Sequence, residues 1–204
     1  MADCPTLHTE RLRMRPFEDS DLDAYAPIVM SEEVRRSLHL PDDFSRSDAW
    51  LGMAHWRGQW ALRGTGQWAL VEIESGILVG RAGLHRPEVP GWPGIEIGWV
   101  LDPRWWGRGF ATEAGARSIE YAFDQVGADQ VCSVILPENV RSAAVATRLG
   151  FTLTESRVLP HFPEAPHDIW RLTREQWERR PPGSASPSTA AEEEDHGDHD
   201  GTLY

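Results

Sequence analysis

The alternation of apolar and polar residues predicts that the chain begins with one β-strand followed by two helices. Residues 8–16 (HTERLRMRP) alternate between apolar side chains and arginines, as a half-buried strand does. A helix is predicted to begin at Ser20 as its N-cap, with Asp23 three residues later. A second helix is predicted over residues 45–63, where Trp50, Met53, Trp56 and Trp60 recur at helical spacing.

After residue 66 the pattern changes to short strands separated by two longer helices. Helices are predicted over about 111–126 and 139–149, with a last short helix at 173–179. Strands are predicted at 67–74, 77–84, 95–101, 130–136, 151–158 and 168–172. The resulting order, β-α-α-β-β-β-α-β-α-β-β, predicts an α+β fold with a mixed sheet and helices on both faces.

Length and charge divide the chain into a domain and a tail. The 204 residues suit one globular domain, which we assign to residues 1–180. Residues 181–204 contain six acidic residues, no basic residue and little to bury, so we expect a disordered acidic tail.

Composition also excludes several classes of function. The formal net charge is −12 and all 20 basic residues are arginines, which argues against nucleic-acid binding. No apolar run is long enough to cross a membrane, and no signal-like segment opens the chain. The two cysteines, Cys4 and Cys132, are far apart and form neither a disulfide framework nor a metal-binding spacing. We therefore expect a soluble cytoplasmic protein without a metal.

A glycine-containing loop between a strand and a helix is the strongest chemical signal. Residues 104–111 (RWWGRGFA) place Gly107 and Gly109 just before a predicted helix. Backbone N–H groups in such a loop can converge on an anion such as pyrophosphate, assisted by the helix dipole. The dinucleotide fingerprint does not fit, because Thr112 stands at its third glycine, and a chain without lysine cannot form a Walker loop.

Four stretches together resemble one protein family. They are 9–16 (TERLRMRP), 96–101 (EIGWVL), 104–111 (RWWGRGFA) and 137–151, which begins PENVRS and ends RLGF. Their order and spacing resemble the GNAT superfamily of acyl-CoA-dependent N-acetyltransferases, most closely its RimJ/RimL-type branch, over about residues 8–178. The resemblance implies a mostly antiparallel sheet with a splayed central strand pair, acetyl-CoA or another acyl-CoA as co-substrate, and an amine acceptor.

The resemblance also implies which residues bind the co-substrate. Backbone groups of Trp99, Val100 and Leu101 would pair with pantetheine, and Asn139 would reach the same arm. Arg104 and Arg108 either meet phosphates or lie solvated on the surface. The pyrophosphate would be held by the backbone of Trp106, Gly107, Arg108, Gly109, Phe110 and Ala111.

Candidate catalytic residues follow from the strand and from the family pattern. The Val100 N–H is expected to polarise the thioester carbonyl, by the resemblance. Glu96 lies four residues earlier on the same strand face, so it is a candidate general base, acting directly or through water. The alternative is a structural or substrate-orienting carboxylate. Many GNAT enzymes have a tyrosine acid where this chain has Ala146, so Ser142 is the candidate acid, unless it caps a helix and the thiolate takes a proton from solvent.

Three hypotheses about the function are left open, two that differ in the acceptor and one without catalysis. The first is a small primary amine, such as a metabolite or an antibiotic. The second is a protein α-amino group, which the RimJ/RimL likeness suggests, and the third is a non-catalytic acyl-CoA-binding module. Trp50, Trp56 and Trp60 form either an aromatic wall for the acceptor or part of the core. His85 either supports a base or is structural, and a homodimer is left open.

Overall fold

The computed structural model describes residues 3–160 and 162–180, which form one mixed sheet with helices on both faces. The expectation for residues 181–204 lies outside the described residues. The strands are β1 (Leu7–His8), β2 (Leu12–Arg15), β3 (Gln67–Glu72), β4 (Leu78–His85), β5 (Glu96–Leu101), β6 (Gln130–Ile135), β7 (Thr152–Leu159) and β8 (Phe162–Thr173). The helices are α1 (Leu22–Met30), α2 (Glu32–Ser37), α3 (Arg46–Arg63), α4 (Phe110–Asp124), α5 (Val140–Leu149) and α6 (Arg174–Glu178).

The sheet is antiparallel except at its centre, where β5 and β6 run parallel and separate. The strand order is β1-β2-β3-β4-β5-β6-β8-β7. Strands β5 and β6 pair in register only at Glu96 and Cys132, where the Cys132 N–H donates to the Ile95 carbonyl at 2.9 Å. Beyond that point the two strands diverge. The α+β fold and its splayed central pair, predicted from the sequence, are confirmed.

Two apolar clusters hold helices against opposite faces of the sheet. On one face, Ile119 of α4 and Leu149 of α5 pack in a cluster with Ile97 of β5. On the other face, Tyr25 of α1 and Trp56 of α3 share a cluster whose sheet residues are Ala69, Leu78 and Val100. Because β5 contributes alternate side chains to both clusters, its position is set from both sides.

The N-terminal strand and the start of the first helix differ from the prediction. Residues 8–16 do not form one strand, because the chain turns at Thr9, whose N–H donates to the Leu12 carbonyl at 2.9 Å. Strands β1 and β2 are therefore an antiparallel pair. Ser20 is not an N-cap. Glu18 caps a short 3-10 turn in a capping box with Asp21, and α1 follows that turn.

Helix ends elsewhere follow local capping chemistry. Ser45 caps α3 by accepting from the Asp48 N–H, and α3 ends at Gly64 with φ 63°. Helix α5 is capped by Asn139 and ends at Gly150 with φ 90°. Helix α2 was not predicted, since six residues carry too little periodicity to be recognised.

Strand β8 is longer than the predicted 168–172. Its pairing with β6 begins at Asp168, opposite Ile135, so the earlier residues pair only with β7. Pro166 therefore lies where β8 has one neighbour and needs no hydrogen bond on its other side. Proline is unfavourable inside a sheet, but it is tolerated where a strand is paired on one side only, as here.

Candidate active site

Two cavities meet where β5 and β6 separate. The larger, about 250 Å³, lies over β4 and β5 toward α3, and the smaller, about 150 Å³, lies toward α5 and the loop before α4. Both cavities are lined by Ser37, the last residue of α2, and by Leu38, which follows it. The other residues that line both are Trp99, Val100, Asn139 and Ser142. The two cavities therefore adjoin at the centre of the sheet, where the strands separate.

The glycine loop borders the smaller cavity and leads into α4. Gly107 and Gly109 have φ of 76° and 85°, which L-residues rarely adopt. The first turn of α4 leaves backbone N–H groups without partners inside the helix, and the helix dipole makes this end favourable for an anion. Trp106 and Ala111 both line the smaller cavity.

The opening motif of the chain holds this loop in place. Arg11 donates from Nε to Glu113 Oε2 at 2.8 Å and from Nη1 to the Arg108 carbonyl at 3.0 Å. Its guanidinium also lies 4.5 Å from the centre of the Phe110 ring. The segment 9–16 and the glycine loop, far apart in the sequence, thus form one structural unit.

The arginines beside the loop are engaged in different ways. Arg104 donates from Nε to Asp102 Oδ2 at 2.9 Å. Burial of the Asp102 carboxyl raises its pKa, but the hydrogen bonds from Arg104 outweigh this effect, so the pKa of Asp102 is lowered. Arg108 lies 4.7 Å over the Trp105 ring. Arg141, which the sequence reasoning missed, stacks 4.7 Å over Trp106 and lines the smaller cavity. Its only sequence signal is its place in PENVRS at the start of α5.

Strand β5 turns alternate backbone groups toward the gap. The Asp102 N–H donates to Val79 of β4, and the Ile95 carbonyl accepts from Cys132 of β6. Because hydrogen-bonding sides alternate along a strand, Val100 faces Arg81 of β4, while Trp99 and Leu101 face the gap. The Val100 N–H therefore does not fit the predicted role of carbonyl donor, and the Trp99 N–H, at the junction of the cavities, is better placed.

Asn139 and Ser142 lie at that same junction. The Asn139 side-chain oxygen accepts from the Ser142 N–H at 3.1 Å, and its amide nitrogen donates to the Ser37 carbonyl at 3.4 Å. The helix cap is thus Asn139, so the alternative that Ser142 caps the helix is wrong. The Ser142 side chain borders both cavities.

Glu96 lies in the larger cavity and is paired with a histidine. Its Oε2 is 3.1 Å from His85 Nδ1, and the two side chains are 14% and 20% exposed. The pair stands opposite across the β4–β5 ladder. The His55 ring lies 5.7 Å from His85, and the pKa of His55 is lowered by desolvation and by the positive charges of His85 and Arg81.

A glycine and a glutamine shape the floor between Glu96 and Val100. Glu96, Gly98 and Val100 share one face of β5, and a Cβ at Gly98 would come within 2.9 Å of Gln67 Nε2. Gln67 is buried on β3, lines the cavity and accepts a hydrogen bond from Arg81. Neither Gln67 nor Arg81 was identified from the sequence, because both lie on strands without a recognisable motif.

The aromatic walls match the sequence hypothesis only in part. Trp56 lines the larger cavity, as do Trp92 and Trp99. Trp60 instead packs in the core 4.7 Å from Trp68, and Trp50 is 45% exposed. A wall of all three α3 tryptophans is therefore wrong.

His167 of β8 is a further cavity residue that the sequence left unassigned. Its ring stacks on Phe162 at 4.9 Å, and desolvation lowers its pKa. No group of three or more His, Cys, Asp or Glu in residues 3–160 and 162–180 is arranged to hold a metal ion. None of the helices in these ranges is long and apolar enough to span a bilayer.

Comparison with known proteins identifies the family. The model of the acetyltransferase (GNAT) domain matches residues 11–152. The chain belongs to the GNAT acetyltransferase family. The matched range includes Arg11, which holds the glycine loop, and Asn139 and Ser142, where the two cavities meet. All residues that line the smaller cavity therefore lie within the GNAT domain.

Solved and curated relatives agree with this membership. An acetyltransferase structure from Agrobacterium tumefaciens is 31% identical with a TM-score of 0.73, covering 85% of this chain and 97% of that one. The FsC-acetyl coenzyme A-N(2)-transacetylase of Aspergillus fumigatus is 25% identical, covering 86% of this chain and 79% of that protein. Bacillus subtilis YdaF, whose name assigns it provisionally to the ribosomal N-acetyltransferases, is 26% identical over 83% of this chain and 94% of its own length.

The GNAT membership predicted from the four motifs is confirmed, and the YdaF likeness supports the RimJ/RimL-type branch. The protein is accordingly an acetyltransferase of a family that uses acetyl-CoA as co-substrate and amines as acceptors.

Proposed function

We propose that this GNAT domain transfers an acyl group, acetyl by default, from CoA to the primary amine of a small molecule by direct attack in a ternary complex. The observation that carries the proposal is the meeting of two cavities at the β5–β6 gap, one beside an anion-binding loop and one containing the Glu96–His85 pair. A cavity of about 250 Å³ suits a compact acceptor.

The smaller cavity fits the co-substrate by the chemistry of its donors. Backbone N–H groups around Gly107 to Ala111 would hold the pyrophosphate, with Arg141 and Arg108 nearby as cations. Trp99 and Leu101 would pair with pantetheine across the gap, and Asn139 would lie beside that arm. Arg104 is less suited to a phosphate, because Asp102 already engages it. Bound acetyl-CoA would supply the thioester.

The chain's own groups then act on the acceptor. The Trp99 N–H would donate to the carbonyl oxygen of the thioester. Glu96 would accept the proton of the amine through a bridging water, while His85 holds the carboxylate in place. Ser142, which borders both cavities, would protonate the departing thiolate.

The small-molecule acceptor is favoured over a protein α-amino group by the enclosed aromatic walls of the larger cavity, Trp56 and Trp92 among them. The FsC transacetylase relative is also named for an N(2) transfer. The YdaF likeness supports the second candidate, a protein N-terminus. A non-catalytic acyl-CoA-binding module would bind acetyl-CoA but release no CoA with any amine.

Release of CoA thiol from acetyl-CoA, measured against a panel of small amines and N-terminal peptides, tests the proposal. Glu96→Gln should lower kcat about 100-fold and remove the acid limb of the pH–rate profile, since it cannot accept the proton. Glu88→Gln, at an exposed glutamate paired with Arg63, is the matched control. An unchanged pH profile in Glu96→Gln would remove Glu96 from the role of base.

A further inference from the structure

Arg81 is a cation in the wall of the larger cavity, held by neutral groups. Its Nε donates to the Tyr25 hydroxyl at 2.8 Å, and its Nη1 donates to Gln67 Oε1. The guanidinium carbon lies 5.0 Å from the centre of the Trp56 ring. These contacts use two of the five guanidinium donors and hold its plane in one orientation.

No carboxylate of residues 3–160 or 162–180 lies within ion-pair distance of Arg81. Glu96, the carboxylate of the same cavity, is paired with His85 instead. Arg81 stands opposite Val100 in the β4–β5 ladder and His85 stands opposite Glu96, four residues further along. The two ends of the cavity floor are therefore about 13 Å apart, one cationic and one anionic.

The hydrogen bonds to Tyr25 and Gln67 and the contact with Trp56 offset only part of the desolvation of this half-buried guanidinium, so an anion supplied by a ligand would bind favourably there. The partner must be small, since the cavity is about 250 Å³, and it must approach the edge of the guanidinium, since Trp56 covers one face. A carboxylate fits the free edge of such a fork through two parallel hydrogen bonds.

We propose that the amine acceptor carries a carboxylate that pairs with Arg81, in the manner of an α-amino acid; this rests on the proposed function. Arg81 faces Val100 at the junction of the cavities, so its anion binds close to the thioester. The acceptor's amine and carboxylate are therefore near neighbours. Its amine is directed toward Glu96, and its side chain extends toward the aromatic walls.

The test compares L-α-amino acids with their α-carboxamides, which keep the side chain and lose the charge. CoA release is followed with wild type, Arg81→Gln, Arg81→Lys and the control Arg57→Gln, an exposed arginine of α3 outside this cavity. Arg81→Gln should lower kcat/KM for the acid about 10- to 100-fold and for the amide less than about threefold. Comparing variants cancels the different amine pKa values of acids and amides.

Arg81→Lys should recover part of the loss, because it keeps the charge but not the fork, and Arg57→Gln should behave as wild type. Melting temperatures and acetyl-CoA affinities show whether a variant is folded. If Arg81→Gln is not folded, the comparison of acid with amide is made with Arg81→Lys. Equal losses for acid and amide, or turnover of benzylamine but of no amino acid, would overturn the carboxylate inference alone. Acetyl-CoA binding without CoA release for any amine would overturn the proposed function.

Discussion

Gly109 offers the sharpest test of where the pyrophosphate binds. Its φ of 85° lies in the left-handed region, which costs an L-residue about 1–2 kcal/mol. A Cβ there would lie 3.4 Å from Arg11 Nη2, a contact that needs no rearrangement. Gly109→Ala should therefore lower the melting temperature by about 2–4 °C per kcal/mol and change CoA affinity little.

Gly109→Glu adds a carboxylate where the anion is proposed to bind. At about 6 Å and an effective dielectric constant of about 20, each pair of like charges repels by about 3 kcal/mol. A loss of this size corresponds to an affinity more than about 100-fold weaker. Because the backbone strain at positive φ is common to both variants, the difference between them reports the added carboxylate side chain and not the strain.

Calorimetric titration with CoA measures the effect. Gly127→Glu is the matched control, since Gly127 has φ of 74° and open space around it but follows the opposite end of α4. It should lose stability without losing affinity. Gly109→Glu binding CoA within about threefold of Gly109→Ala would show that the pyrophosphate lies elsewhere.

Four further perturbations have defined outcomes. Asn139→Ala removes the cap of α5 and should destabilise the protein by about 1 kcal/mol in thermal melts. Ser142→Ala should keep stability and acetyl-CoA affinity but slow turnover. A wild-type rate in Ser142→Ala would remove Ser142 from the role of acid. Burial lowers the pKa of His167 from the ordinary histidine value of about 6.5. The unfolded chain therefore binds a proton at this residue more readily than the folded chain, and stability falls as the pH drops below about 6.5. His167→Gln should flatten this fall, and an unaltered pH dependence would contradict it. A chain ending at residue 180 should keep its melting temperature and turnover, and a large loss of either would refute a dispensable tail.

Local signals predicted most elements and the parts of the site that lie within one segment. The glycines of 104–111 and the period of β5 act through neighbours in the chain, so spacing alone identified them. The turn at Thr9 and the pairing of β8 escaped prediction. The extent of β8 depends on β6 and β7, which lie elsewhere in the chain. The turn at Thr9 is local, closing on Leu12, but the residues on both sides of it alternate as those of one strand would.

The geometry of the candidate site was harder to predict from the sequence than the fold. Strand alternation correctly placed Glu96 and Val100 on one face, yet it could not show which N–H groups face the gap. That depends on which neighbour β5 pairs with at each residue, and the hydrogen bonds of Asp102 and Ile95 decide it. The candidate donor consequently moves from Val100 to Trp99.

The sequence by itself determined the family, the glycine loop and the α+β order, because motif spacing and side-chain periodicity are properties of contiguous residues. Only the tertiary structure decided what the larger cavity contains. Arg81, Gln67 and the Glu96–His85 pair come from three strands that meet through hydrogen bonding across the sheet. A cation facing a cavity without a carboxylate partner among the described residues is visible only when those strands are side by side, and it makes the acceptor's charge a testable question.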